Sequence, residues 1–431
     1  MHKYIGIDFG TTNSAIAITD ADQRVTMAYF GPVDKTEETF RSVLFFEQVR
    51  NGRRWEIHSF AGPEAIAMYL DAEQKGRLIQ SLKSYLSSRL LVSTNIFGKL
   101  YMLEELIGFL IRRLREQSEL SVGSLFGKIV VGRPVRFSGA ESDADNDFAQ
   151  ERVRTALMQA GINDVVFEYE PVGAAYYYES LLDHEELVLI GDFGGGTSDF
   201  SLLRVGPIFR SKGRSRHILG NEGVALAGDA FDAKIVRHVV SPLLGKETLY
   251  RSMNKSIQVP AWVYVKLERW HYLSFLKTKE TMDMLRSIRA QSTEPEKIDN
   301  LINVISDDLG FYLHRAVQRT KFDLSEREAS IFSFQAPGVS ISRLVTRKQF
   351  EEWIQDELDQ ISQCVDRLLA QTGVTAADVD RVFLTGGSSF VPAVRQIFAK
   401  RFGDERLASG SEFTSVAKGL ALRSLDLEDK A

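Results

Sequence analysis

The chain has one cysteine, Cys364, among 431 residues, so no internal disulfide can form and no Cys-based zinc site can be built. That thiol sits among Ile361, Val365, Leu368 and Leu369, a pattern that predicts a buried structural role. No apolar stretch approaches the roughly 18 to 20 residues needed to cross a membrane. The start runs within a few residues into Tyr4-Ile5-Gly6-Ile7, without the basic segment and long apolar run of a signal peptide. These absences predict a cytoplasmic protein with no membrane partner. Positive charge is not in excess either, since 53 Lys and Arg against 58 Asp and Glu leave a formal charge of -5. Such a balance supplies no broad cationic field for a phosphate backbone, and nucleic acid is not an expected partner.

What is present is ordinary globular composition, 44% hydrophobic and 26% charged, with no disordered or fibrous bias. The length exceeds the roughly 250 to 300 residues at which a single core stops growing, so two lobes are expected. A repeated unit supports this. Tyr4 to Ile7 has the pattern of a short buried strand, Asp8-Phe9-Gly10-Thr11-Thr12-Asn13 follows, and Ser14 to Ile18 alternates like a half-buried strand. Later, Leu187 to Ile190 leads into Asp192-Phe193-Gly194-Gly195-Gly196-Thr197-Ser198-Asp199, and Phe200 to Leu203 resumes the strand.

Glycine in such a turn permits unusual backbone angles and leaves N–H groups bare to converge on anionic oxygens, while Thr and Ser hydroxyls add donors. An aspartate at the strand's end cannot assist a phosphate directly, but it can hold Mg²⁺ through water. Two Asp-Phe-Gly turns, each opening its own half of the chain, predict duplicated lobes that grip one phosphate chain. Competing nucleotide motifs fail. Neither Gly127-Lys128-Ile129 nor Gly245-Lys246-Glu247 completes a Walker loop, a Rossmann turn leads into a helix rather than a strand, and His314-Arg315-Ala316 lacks the carboxylate of a protein-kinase catalytic loop.

Gly6 to Ser14 and Asp192 to Asp199 together closely resemble the two phosphate motifs of the seventy-kilodalton heat-shock chaperones, members of the actin-like ATPase superfamily. Val382-Phe383-Leu384-Thr385-Gly386-Gly387-Ser388-Ser389-Phe390-Val391-Pro392 is similar to that family's adenosine motif, with Pro392 suited to a first helical turn. Glu170-Pro171 with Gly173-Ala174-Ala175 resembles its hinge segment, and Ser415 to Ala421 its closing helix. The resemblance implies an α/β, two-lobed actin-like ATPase fold of duplicated ribonuclease-H-like lobes with a nucleotide cleft between them. Lobe I would span 1–185, closed by 412–431, and lobe II 186–411, with an enlarged outer subdomain at about 232–335.

The resemblance also implies ATP or ADP with Mg²⁺ as ligands. Asp8 and Asp192 would hold the metal through water, while Gly10, Thr11, Thr12, Asn13, Gly194, Gly195, Gly196 and Thr197 grip phosphates. Lys83 would contact the transferred phosphoryl group, with Lys75 as the alternative, and Glu170 or Thr197 would place water. Around adenosine it implies Gly228, Asp229, Lys321, Phe322, Ser325, Gly386, Gly387 and Ser388. This side departs from the family pattern: Ala227 and Ala230 replace a glycine and an acid, and Gln318 and Phe322 stand where the family has Glu and often Arg. Phe322 could stack on a base.

Between Asp232 and Lys321 there is roughly twice the family's usual length. The row Ile298, Leu301, Ile302, Ile305, Leu309, Leu313 and Val317 predicts a helix there, and Trp262 and Trp270 are expected to build a local core. After the closing helix only Asp426 to Ala431 remains, so a peptide-binding domain is not expected in this chain. The function expected is a chaperone-related ATPase switch acting on an unidentified protein partner or client, with a possible nucleotide-exchange factor. A sugar or carboxylate kinase and an actin-like filament former remain as alternatives within the superfamily.

Overall fold

The strand Tyr4–Phe9 (β1) buries Ile5 and Ile7 completely and turns back antiparallel into Asn13–Thr19 (β2), which pairs with Val25–Met27 (β3). On the other side of β1 lie two parallel strands, Ile129–Arg133 (β4) and then Val165–Tyr169 (β5). The sheet order is β5-β4-β1-β2-β3, with the short strand Phe40–Arg41 also paired to β2. The same plan recurs with Glu186–Phe193 (β6), Ser198–Val205 (β7), Ile218–Val224 (β8), Arg381–Thr385 (β9) and Leu407–Ser409 (β10), in the order β8-β7-β6-β9-β10. Here again three antiparallel strands carry two parallel ones on the far side of the first. The duplication inferred from two short turns thus extends through the whole of each sheet.

These elements belong to a computed structural model that describes residues 3–31, 37–72, 76–210, 217–252, 255–269, 276–410 and 414–427. Lys75, Trp270 and residues 428–431 lie outside the described residues. The chain packs as two units, one of residues 1–227, 360–389 and 394–431, the other of residues 228–359 and 390–393.

In the first unit β6 is buried along its whole length, which explains why it reads as a continuous apolar run rather than an alternating one. Helix Leu103–Val122 (α1) turns Leu103, Leu106, Ile107, Leu110, Ile111 and Leu114 inward, the spacing of one helical face. It packs on Asp143–Gln159 (α2), which supplies Ala149, Val153, Ala156 and Leu157 to the same core. Ser142 caps α2 by accepting from the Asp145 amide. Helix Glu170–Ser180 (α3) carries Pro171 in its first turn, where a missing N–H costs nothing. Helix Pro392–Phe402 (α4) opens on Pro392, and from residue 394 on it belongs to this unit, with Val394 and Phe398 fully buried.

The closing helix, Ser415–Leu425 (α5), packs on α3 and β1 at a separation that only glycine allows: a Cβ on Gly419 would stand 1.6 Å from the Gly173 carbonyl oxygen. Cys364 is fully buried, and burial pushes its thiol up to about 12.

The second unit corrects two expectations. The apolar row from Ile298 to Val317 is carried by two helices, Pro295–Ser306 and Gly310–Glu326, and not one. Asp308 takes the left-handed conformation, φ 54°, and the Leu309 amide bonds back to Val304 O, which ends the first helix. The second restarts with Leu309 and Leu313 still buried, so the row continues across a break that spacing alone does not reveal. Trp262 is 41% exposed, with Lys266 Nζ 5.1 Å from its ring, and is not part of a core. The first turn of a short helix, Ala261–Glu268, leaves it on the outer face while Val263, Tyr264 and Leu267 turn inward.

Candidate functional site

Each Asp-Phe-Gly turn is built the same way. Phe9 pairs with Ser14 and Phe193 with Ser198, so residues 10–13 and 194–197 form loops of equal length at the ends of the two hairpins. The phenylalanines are the anchors: Phe9 is 2% and Phe193 0% exposed, and Phe193 packs edge-on against Phe200 at 5.7 Å. With the Phe turned into the core, the preceding aspartate faces the opposite side of the strand, because successive side chains alternate. In the first turn Ser42 bonds the carbonyls, its amide to Thr12 O at 2.9 Å and its hydroxyl to Gly10 O at 2.8 Å. Arg41 donates to the Asn13 side chain at 3.3 Å. A Cβ on Gly10 would stand 2.1 Å from Asn13 O, so the loop closes only around a glycine. In the second, the Gly194 amide donates to Thr197 O at 3.0 Å.

Four carboxylates and one lysine share a buried region of this unit. Lys83 sits on a single 3₁₀ turn, Leu82–Tyr85, and is 8% exposed. Its Nζ donates to Glu170 Oε1 at 2.5 Å, and Glu170 opens α3 at 6% exposure. Asp192 faces Asp199 across the β6–β7 ladder. Burial, then repulsion from Glu170, pushes Asp8 up to about 7, with Lys83 opposing. Asp199 is also pushed up to about 7, by burial and then Glu170, while the Val135 and Arg136 amides oppose. Asp192 lies well above the ordinary carboxylate range through burial, then Glu170, Asp8 and Asp199. Burial would lower Lys83, but Glu170, Asp8 and Asp199 outweigh it and hold the ammonium above its usual range.

Gly386 follows β9, the parallel neighbour of β6, and Thr385 lies opposite Asp192. Gly386 has φ 83°, and a Cβ there would stand 2.1 Å from Phe193 O. The backbone of the Gly386-Gly387-Ser388 turn therefore lies against the strand end that opens the second phosphate turn. Ser389 closes this turn, its hydroxyl donating to Gly386 O at 2.7 Å.

The other residues expected around adenosine belong to the second unit. Gly228 and Asp229 begin the helix Gly228–Ile235, and Lys321, Phe322 and Ser325 lie on Gly310–Glu326. Lys321 Nζ pairs with Asp232 Oδ1 at 2.7 Å and donates to Gly228 O at 3.2 Å, so its charge is tied to the start of the neighbouring helix. Burial, then Asp232, pushes Asp229 up to about 7. Ser325 donates to Lys321 O at 3.1 Å, and Phe322 is 55% exposed. The structure thus groups Asp8, Lys83, Glu170, Asp192, Thr197 and the turn residues in one unit, and Gly228, Asp229 and Lys321 in the other.

A family model described as Hsp70 protein matches residues 72–259 and 288–428, more than half of the chain. This chain belongs to the Hsp70 family. The break in the match, residues 260–287, falls in the second unit, within the segment expected to be enlarged. Chaperone protein DnaK from two strains of Thermus thermophilus is 25% identical over 435 aligned residues, covering 98% of this chain and 61% of each relative. The chain therefore spans about three-fifths of the length of the curated relatives it matches. The repeated sheets are the actin-like ATPase fold of this Hsp70 chain.

Three residues with clear structural roles escaped the sequence reading. Arg41, on the short strand Phe40–Arg41, and Ser42, which follows it, brace the first turn from a stretch whose sequence has no motif. Asp199 stands in the second motif, but its role shows only in the tertiary structure. Its Oδ1 accepts from the Val135 amide at 2.8 Å and the Arg136 amide at 3.4 Å, whereas Oδ2 is buried without a partner. The orphaned Oδ2 belongs to the residue opposite Asp192 on the ladder. Among the described residues no three His, Cys, Asp or Glu side chains are grouped to hold a metal ion directly, so these acids would hold a divalent cation through water.

Proposed function

We propose that this chain binds ATP with Mg²⁺ and hydrolyses it, as the nucleotide-operated switch of a chaperone-type protein. The observation that carries this is the crowding of Asp8, Asp192, Asp199 and Glu170 about Lys83 beside two like-built turns. Such a cluster is poorly balanced in itself and is completed by a divalent cation and a phosphate chain. When bound, Mg²⁺ supplies positive charge that offsets both the carboxylates and the phosphates.

The chain's own groups account for the rest. Asp8 and Asp192 would hold Mg²⁺ through water. Thr11, Thr12, Asn13 and the Gly194 to Thr197 amides hold phosphate oxygens, while Gly386, Gly387 and Ser388 of the same unit contact the nucleoside. Water attacks the terminal phosphorus in line as the bond to the bridging oxygen breaks, so catalysis is mainly positioning and charge stabilisation. Lys83 offsets charge on the migrating group, and Glu170, anchored to Lys83, orients water. A change of nucleotide then alters the surface shown to a protein partner or client and to an exchange factor.

Calorimetric titration with MgATP and MgADP, followed by single-turnover assay of bound ATP, tests the proposal. Saturable binding and release of free phosphate are expected; no binding of either nucleotide would sink it. Adding metabolite pools with labelled ATP separates this reading from a small-molecule kinase, which would yield a phosphorylated metabolite instead. ATP-dependent light scattering that grows with protein concentration would indicate a filament. Thr197→Ala, held in the ATP state, is expected to retain the partner on purification.

A further inference from the structure

We propose that the hydroxyls of Ser84 and Ser138, together with that of Thr11, contact the third phosphate of a bound triphosphate and set this chain's preference for ATP over ADP. This rests on the nucleotide reading above.

Three separate segments meet over one bare glycine. A Cβ built on Gly196 in the second turn would stand 3.6 Å from Ser84 Oγ, 3.6 Å from Thr11 Oγ1 and 3.8 Å from Ser138 Cβ. Thr11 comes from the first turn, Ser84 from the 3₁₀ turn that also bears Lys83, and Ser138 from the loop between β4 and α2. The space over Gly196 is therefore ringed by hydroxyl-bearing side chains. Donors of this kind bind phosphate oxygens without adding charge to a region that already holds four carboxylates.

Both serines are held in place through their backbones. Ser81, buried and left-handed at φ 54°, starts the 3₁₀ turn, and the Ser84 amide donates back to Ser81 O at 3.0 Å. A non-glycine residue in that conformation persists only where its surroundings demand it. The Ser87 hydroxyl donates to Ser138 O at 2.5 Å, tying the two segments together. Next to Ser138, the Phe137 amide donates to Asn146 Oδ1 at 2.9 Å, while the Val135 and Arg136 amides bond Asp199. These bonds use backbone groups and the Ser87 hydroxyl, and leave the half-buried side chains of Ser84 and Ser138 to face the turn.

The position of these hydroxyls singles out the third phosphate. The turn that carries Ser84 also carries Lys83, assigned above to the transferred group, and Thr11 and Gly196 belong to opposite phosphate turns. A group touching both turns and this lysine lies at the terminal end of the phosphate chain.

The test is equilibrium binding, independent of turnover. The double variant Ser84→Ala/Ser138→Ala is titrated with MgADP and with a non-hydrolysable MgATP analogue. MgADP affinity is expected to stay within about twofold of the parent, while the triphosphate weakens by about tenfold or more, the scale of losing hydroxyl bonds to a charged group. Ser84→Thr/Ser138→Thr, which keeps both hydroxyls, is expected to retain most of the parent's triphosphate affinity. Unchanged triphosphate affinity, or equal weakening of both nucleotides, would overturn the inference. If the parent protein binds neither nucleotide, the function proposed above fails, and this inference fails with it.

Discussion

Asp199 is 1% exposed and carries one oxygen bonded to two amides and one bonded to nothing. Its carboxyl, pushed up to about 7 by burial and then Glu170, makes the folded state the better proton binder. That contribution to stability is complete at pH below about 4, where the unfolded chain also stays protonated, and is lost as pH rises through about 7. In metal-free protein, Asp199→Asn is therefore expected to be more stable than the parent at pH 8, by on the order of a few kcal/mol. Urea unfolding at pH 5 and pH 8 checks this; an undiminished pH slope in the variant would refute it. Lys83 poses a sharper question. Lys83→Ala leaves Glu170 buried without its partner, which should cost about 3 to 5 kcal/mol of stability. Adding Glu170→Gln is expected to recover much of that stability, yet single-turnover hydrolysis should remain about a hundredfold slow. Recovery of both together would give Lys83 a structural role only. The sequence made Lys83 a candidate through a short motif; its burial and its 2.5 Å bond to Glu170 come from segments 87 positions apart.

At the scale of elements, the hairpin turns were legible because their physics is local. A Phe that must be buried, a glycine that must close a loop and an Asp on the opposite strand face are all set within a few residues. The closing helix shows the opposite case. Gly419 lies in an unremarkable helical sequence, and its requirement comes from Gly173 on α3. Gly419→Ala is expected to destabilise the fold by about 3 kcal/mol or more, since the new methyl meets a backbone oxygen that cannot yield as a side chain would. Lys418→Ala, one residue away and only partly buried, should cost under about 1 kcal/mol. Chemical denaturation of the two variants separates these outcomes. The paired helices Pro295–Ser306 and Gly310–Glu326 were misread as one for a related reason. Hydrophobic spacing reports which face is buried, and that face continues across the left-handed Asp308 without recording the change of direction.

For the whole molecule, a ligand that binds only the folded state must raise its stability. MgADP at a hundred times its dissociation constant is expected to add about 2.7 kcal/mol, and removal of Mg²⁺ by chelation to reduce that gain. Thermal unfolding with and without each component measures it; a midpoint indifferent to MgADP would contradict the nucleotide proposal. The sequence by itself determined that the chain is duplicated, that each half opens on a phosphate-type turn, and that its relatives are the Hsp70 proteins. Those features depend on local backbone and side-chain chemistry, which adjacent residues spell out. Only the tertiary structure decided that Asp199 keeps an orphaned oxygen, that Ser42 holds the first turn, that Ser84 and Ser138 meet over Gly196, and that Trp262 faces outward. Each of these arises where segments distant in sequence pack together, and burial, repulsion and close approach act between neighbours in space.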